Sequence, residues 1–275
     1  MLRAMKRLFI LAAALGLAGC GSDEKPADSG PKAGLGIMVG EVSNSSAVVQ
    51  VRLCATDKLV ERDVAGMAGV VKFTLGDQSQ TVEAKADLDF IARAVFEGLT
   101  AGTSYEIQTE IGTDADSLNA GPVATFKTLQ GPAAAEPVKF VVVTGMNYAK
   151  FHGDDRIDLA QHKLENNTDL PAPYDGPDKD LGYPALAAIL KQKPDFFVGT
   201  GDNVYYDTPD NPRAETITEL RQKWHEQWVQ PRYRDLFAVV PTFWMVDDHD
   251  YRIDDGDNTG DHLPTPAQAQ TTMFE

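Results

Sequence analysis

The sequence is poor in cysteine, in basic residues and in long apolar runs, and each shortage removes a class of protein. Two cysteines in 275 residues, Cys20 and Cys54, are too few for a disulfide framework. Basic residues number 25 against 41 acidic ones, a formal net charge of −16, which argues against specific nucleic-acid binding through backbone charge. An acidic chain that handles anions needs bound cations to do so. The apolar stretch Leu8 to Leu17 is too short to span a bilayer. What remains, 43% apolar and 24% charged residues, suffices for a sizeable buried core in one large or two ordinary domains.

Arg3, Lys6 and Arg7 precede that apolar stretch, the layout of a signal peptide. It ends in Leu17-Ala18-Gly19-Cys20, which resembles the bacterial lipobox. The resemblance implies that Cys20 is lipidated and becomes the first mature residue, in preference to a plain cleaved signal or a membrane anchor. The expectation is an exported bacterial lipoprotein, periplasmic or at the cell surface, with the membrane as a partner through the lipid. Residues 1–20 are then signal peptide and 21–33 a polar tether outside the fold. Cys54 is left without a partner and reads as a small buried apolar residue beside Val51 and Leu53.

From Gly34 to about Leu129 short alternating runs recur: 47–53, 70–75, 91–96, 105–111 and 124–128. Turn residues separate them at the spacing of an antiparallel sandwich. Leu99-Thr100-Ala101-Gly102-Thr103-Ser104-Tyr105 resembles the corner before a late strand of fibronectin type III domains, with Tyr105 as the corner tyrosine. The resemblance implies a β-sandwich over 34–129 acting as a spacer or positioning domain.

A Gly- and Pro-bounded linker, Gly131 to Pro137, marks a change of pattern. Val138 to Val143, Asp195 to Gly199 and Thr242 to Val246 read as strands buried on both faces, and Tyr183 to Lys193 and Glu215 to Trp228 as helices. Strands alternating with helices predict a parallel sheet with crossover connections over 138–275. In such sheets the site lies beyond the carboxyl ends of the strands. Each strand here runs into a polar cluster: Thr144 to Tyr148, Gly201 to Asp207 (GDNVYYD) and Asp247 to Asp250 (DDHD). Carboxylates crowded at strand ends repel one another and call for compensating cations, for which Asp, Asn, His and Tyr are suitable donors.

These motifs resemble those of the calcineurin-like metallophosphoesterases. GDNVYYD has the Gly-Asp-x-x-Tyr form shared by PhoD-like and purple acid phosphatases, and DDHD resembles the Asp-Asp-His-Glu of PhoD-like enzymes, with Val246 where tryptophan is usual. The run QPRYRDLFAVVPTFWMVDDHD and a β-sandwich in front are PhoD-like too. The resemblance implies an incomplete α/β metallophosphoesterase domain, an α/β/β/α sandwich in the family, that hydrolyses phosphate esters at a two-metal site. Asp202 is then the carboxylate bridging the two ions and Tyr205 a phenolate ligand of the first, usually ferric iron. Asp248 ligates the second, often calcium. His249 contacts the phosphoryl oxygens or leaving group, and Asp250 orients His249. The implied chemistry is in-line attack by water that two cations acidify while they neutralise phosphoryl charge.

Two departures accompany the resemblance. Gly145 stands where the family carries a cysteine ligand, and Asn147 is the nearest replacement donor. The family also draws ligands from a second half that Tyr251 to Glu275 does not supply, so a truncated or non-catalytic phosphatase-like surface lipoprotein is the alternative. The remaining histidines read as bystanders: His152 and His162 in a polar insertion, His225 as a packing or surface residue, His262 in a loop. The acidic run Asp254 to Asp261 lacks the ligand order of an EF-hand and reads as solvated loop. Mono- and diester substrates fit the chemistry equally.

Overall fold

The computed structural model describes residues 30–157, 172–210 and 212–275; the signal-peptide reading, Cys20 and His162 fall outside them. Among the described residues no helix is long and apolar enough to cross a membrane.

Seven strands come first: β1 (Ile37–Gly40), β2 (Ser46–Arg52), β3 (Gly69–Leu75), β4 (Gln78–Ala84), β5 (Ile91–Glu97), β6 (Ser104–Gly112) and β7 (Leu118–Lys127). Alternation puts every second side chain inward, so Val49, Val51, Phe73, Phe96, Ile107 and Phe126 form one core between the β5-β2-β1 and β4-β3-β6-β7 layers. The Thr100 amide donates to the Tyr105 hydroxyl at 2.8 Å, the corner expected from the sequence. Cys54 is fully buried, as read from its neighbours. The fold begins slightly earlier than residue 34, because Lys32 pairs with Cys54 through two 2.8 Å backbone hydrogen bonds. That part of the expected tether supplies partners which the Cys54 backbone would otherwise lack.

The rest of the chain contributes β8 (Phe140–Val143), α1 (Tyr148–His152), α2 (Pro184–Gln192), β9 (Phe196–Thr200), α3 (Ile217–Trp228), α4 (Pro231–Phe237), β10 (Thr242–Met245), α5 (Asp248–Tyr251) and α6 (Pro266–Met273). Strands β8, β9 and β10 are parallel, as predicted. Pro at the first turn starts α2, α4 and α6, where its missing amide costs nothing, and a Thr216–Glu219 capping box starts α3.

Two expectations need correction. The sandwich and the α/β part were read as separate units, but β1 pairs parallel with β10, Gly40 opposite Thr242. One six-stranded sheet therefore runs β5-β2-β1-β10-β9-β8 across both. Strands β8 to β10 were also read as buried on both faces. Helices α2 and α4 cover only one face, packing Leu186, Leu236 and Phe237 on Phe197. The opposite face leaves Phe140 at 55%, Val142 at 53% and Met245 at 57% exposed. A continuous apolar run identifies a strand with two apolar faces and is silent on what covers each.

Buried polar groups reinforce the junction. His225 on α3 contacts Asp63 through Nδ1 and Asp89 through Nε2, both at 2.6 Å, and Asp89 also takes a two-pronged contact from Arg52 at 2.9 and 3.0 Å. Burial opposes ionisation of Asp63 and Asp89, but the hydrogen bonds from His225, and for Asp89 from Arg52, outweigh it and hold both carboxyls below the usual range. Because these folded-state values are depressed, their stabilisation is present above the unfolded carboxylate pKa of ~4 and is lost as pH falls through the folded values. Breaking a buried pair costs about 3–5 kcal/mol. His225→Gln is accordingly expected to lower unfolding free energy by about 3–5 kcal/mol and to flatten the loss of stability below about pH 4, both read by urea titration across pH.

Candidate metal centre

Three loops converge beyond the carboxyl ends of β8, β9 and β10, and the chain ties them together before any ligand is considered. Met146 N donates to the Asp202 carbonyl at 2.9 Å, and Thr144 Oγ1 to the Gly201 carbonyl at 3.1 Å. From α3 the fully buried Gln227 donates through Nε2 to the carbonyls of Met146 and Asn203, each at 3.0 Å. Gly201 has φ +95°, and a Cβ there would lie 2.4 Å from that of Asp247. Only glycine lets the β9 and β10 loops approach so closely. Asp202 follows with φ +53°, a left-handed backbone that a non-glycine residue adopts at some cost.

Donor atoms of Asp202, Asp248 and His249 all lie within 4.8 Å of one another. Tyr205 Oη donates to Asp202 Oδ2 at 3.0 Å, and its ring lies against that of His249 with centroids 4.3 Å apart. Burial pushes the Tyr205 phenol well above its usual range, and Asp202 adds to the effect. Burial also raises the Asp202 carboxyl, helped by Asp248 and Asp247 and opposed by Tyr205 and His249. The other oxygen of Asp202, Oδ1, is buried without a hydrogen-bond partner. A bare carboxylate oxygen beside further acidic groups is what a cation would satisfy, and the oxygen and imidazole donors suit hard or borderline ions.

Two predicted residues have other duties. Asp250 was expected to orient His249, yet it is fully buried and its carboxylate accepts from Asp247 N at 2.7 Å and Asn203 N at 3.1 Å. It binds the β9 loop to the β10 loop; burial pushes its pKa up to about 6 against those hydrogen bonds. Asn147 was expected as a replacement ligand, but its Oδ1 accepts from Lys150 N at 2.9 Å and caps α1. Gly145 does lie at the site: a Cβ there would stand 3.9 Å from Tyr205 Oη.

The residue that orients His249 is Asp207, last of the GDNVYYD run, whose carboxylate lies 2.8 and 3.0 Å from Nδ1. The signal was present, an aspartate two residues past the tyrosine, but only the fold brings it to the DDHD loop. Burial alone would lower the His249 pKa; Asp207 first, then Asp202 and Asp248, raise it to about 9. The other histidines are elsewhere. His152 ends α1 half-buried against Tyr148 and Phe151, and His262 lies in the loop after α5. That loop wraps fully buried Arg252, which donates to the carbonyls of Asp257, Thr259 and Pro264 at 2.6, 2.8 and 2.7 Å. A guanidinium thus occupies the centre of this acidic loop, where a calcium ion would otherwise sit.

Comparison with solved structures places this arrangement. A structure of PhoD superposes with a TM-score of 0.65 at 18% identity, over 88% of this chain and 45% of that one. The aligned residues have the fold of the corresponding part of PhoD. The chain spans less than half the length of PhoD. A purple acid phosphatase, PPD1 from yellow lupin (Lupinus luteus) seeds, aligns over 88% of this chain and 39% of that one at 12% identity, with a TM-score of 0.47. No protein-family model matches the sequence, and comparison with curated proteins finds no match. At the identity shared with PhoD the likeness establishes the fold, and the chemistry rests on the residues described above.

In the metal-free protein the His249 ring is expected to titrate near 9, raised by its carboxylate neighbours, and Asp207→Asn to bring that midpoint down toward the ordinary histidine value of ~6.5. NMR titration of the ring protons reads both.

Proposed function

We propose that this chain carries part of a two-metal phosphoesterase site and hydrolyses phosphate mono- or diesters. The observation that carries the reading is the meeting of Asp202, Asp248 and His249 donor atoms within 4.8 Å at the ends of parallel strands. Asp202 and Asp248 would hold the cations, with Tyr205 adjoining the first. Ferric iron and calcium are the identities proposed from the motif resemblance. Such ions acidify water and neutralise phosphoryl charge when bound.

The chain's own groups account for the remaining steps. Asp207 on Nδ1 fixes the His249 ring, and Nε2, 3.5 Å from the exposed carboxylate of Asp254, would turn to a phosphoryl or leaving-group oxygen. The Asp207 carboxylate, which is not among the groups proposed to hold the cations, favours a proton on that ring that a departing alkoxide could take. Asp250 and Gln227 keep the three loops in register.

Hydrolysis of p-nitrophenyl phosphate and bis-p-nitrophenyl phosphate, with Ca²⁺ and Fe³⁺ added to the soluble mature chain, tests the reading. Turnover that depends on metal and falls at least about 100-fold in Asp202→Ala is expected. Absence of turnover from folded protein would select the second reading, a non-catalytic phosphatase-like surface lipoprotein, which the lack of a donor side chain at Gly145 favours.

We also propose export as a lipoprotein, supported by the basic, apolar and Leu17-Ala18-Gly19-Cys20 sequence of the first twenty residues. Expressed in a bacterial host with radiolabelled palmitate, the chain is expected to take up label and to partition with membranes. Cys20→Ser is expected to abolish both.

A further inference from the structure

The functional site is surrounded by acid, and nearly every nearby cation is already engaged. Arg62 and Arg156 pair with Asp154 at 2.6 and 2.7 Å. Lys223 lies 3.4 Å from Glu226 and donates to the Thr208 carbonyl at 2.7 Å. Arg252 is enclosed by its own loop. Lys150 is different: its ammonium lies over the Tyr205 ring, 6.0 Å from the centroid, and has no carboxylate partner among the described residues.

Its position is also built. Lys150 sits in the first turn of α1, directly after the β8 loop, and its amide is held by the Asn147 cap at 2.9 Å. The preceding Ala149 is 3% exposed and anchors the turn in the interior. Tyr205, under the ammonium, hydrogen-bonds to Asp202 and stacks on His249. The Lys150 ammonium and the proposed metal-binding and proton-donating groups thus have the Tyr205 ring as a common neighbour.

We propose that Lys150 binds substrate, its ammonium holding non-bridging phosphoryl oxygens on the α1 side of the site. The inference rests on the phosphoesterase reading and adds a residue to it. An ammonium on a flexible stem donates in any direction to a phosphate oxygen, and a charge-assisted hydrogen bond of this kind is roughly twice as strong as a neutral one. The attraction scales with ligand charge, so a monoester dianion gains more than a diester monoanion. Asn147 takes part by setting the turn that carries Lys150, a positioning role in place of the ligand role its sequence position suggested.

The test compares the wild-type chain, Lys150→Gln and Lys150→Arg, all metal-loaded, by calorimetric binding of inorganic phosphate and by steady-state hydrolysis of both nitrophenyl esters. Lys150→Gln is expected to raise the phosphate Kd and the monoester KM about tenfold and the diester KM about threefold, with kcat within about twofold. Lys150→Arg is expected to recover the monoester KM to within about threefold of wild type, and both variants to keep the wild-type melting temperature. Unchanged Kd and KM in Lys150→Gln, beside an active wild type, overturn the inference and leave the phosphoesterase reading intact. A drop in melting temperature that Lys150→Arg shares makes Lys150 a structural residue and overturns it as well. A wild type that neither binds phosphate nor turns over either ester overturns both readings.

Discussion

The pairing of β1 with β10 is the constraint on which the rest of this structure depends. It is short, with Glu41 N and Thr242 Oγ1 adding hydrogen bonds of 3.2 Å on either side of the Gly40–Thr242 contact. It nevertheless makes the sandwich an extension of the sheet that bears the site. The His225 clamp fixes α3 against the same sandwich, and two residues along that helix Gln227 reaches the loops after β8 and β9. A path of buried hydrogen bonds therefore leads from Asp89 in the sandwich, through α3, to the backbone flanking Asp202. The sandwich contributes position, since none of its own residues is part of the Asp202, Asp248 and His249 group.

At the other end of that path the problem is electrostatic. Asp202, Asp207, Asp247, Asp248 and Asp250 occupy two neighbouring loops, and like charges this close resist ionisation. The structure divides them by function. Asp207 is balanced by His249 and sits below the usual carboxylate range despite burial. Asp250 is balanced by backbone and asparagine donors. Burial raises the carboxyls of both Asp250 and Asp202, but only Asp202 of the two keeps a buried oxygen with no partner. The imbalance is thus concentrated on the residue best placed to hold a cation, and a bound ion would relieve it where internal hydrogen bonds have not.

Much of this was legible in the sequence. Local pattern revealed the strands whose alternation is apolar, the Tyr105 corner, and the three polar clusters at strand ends, because each is set by neighbours in the chain. The polar run Gln78 to Thr81 concealed β4, whose side chains mostly face solvent, and the four-residue β1 was not among the strands read from the sequence either. The joining of the two sheets was invisible for a different reason: Gly40 and Thr242 lie far apart in sequence, and nothing in either segment specifies the other. The same limit explains why the carboxylate that holds His249 was misassigned. Asp250 is adjacent to it in sequence, but helical geometry turns that carboxylate back toward the start of its own short helix, into the α5 capping box. Asp207 arrives from another strand.

Gly145 shows how a single absent side chain redistributes work within the site. With φ +73° its backbone takes a conformation that disfavours any other residue, so the gap beside Tyr205 belongs to the course of the chain as much as to the missing atoms. A thiolate at this position would bring negative charge toward any cation held by Asp202. Without it, the β8 side of the site offers the neutral Asn147 cap and the positive Lys150. The open position at Gly145 and the anion-holding role proposed for Lys150 are thus two aspects of one electrostatic arrangement.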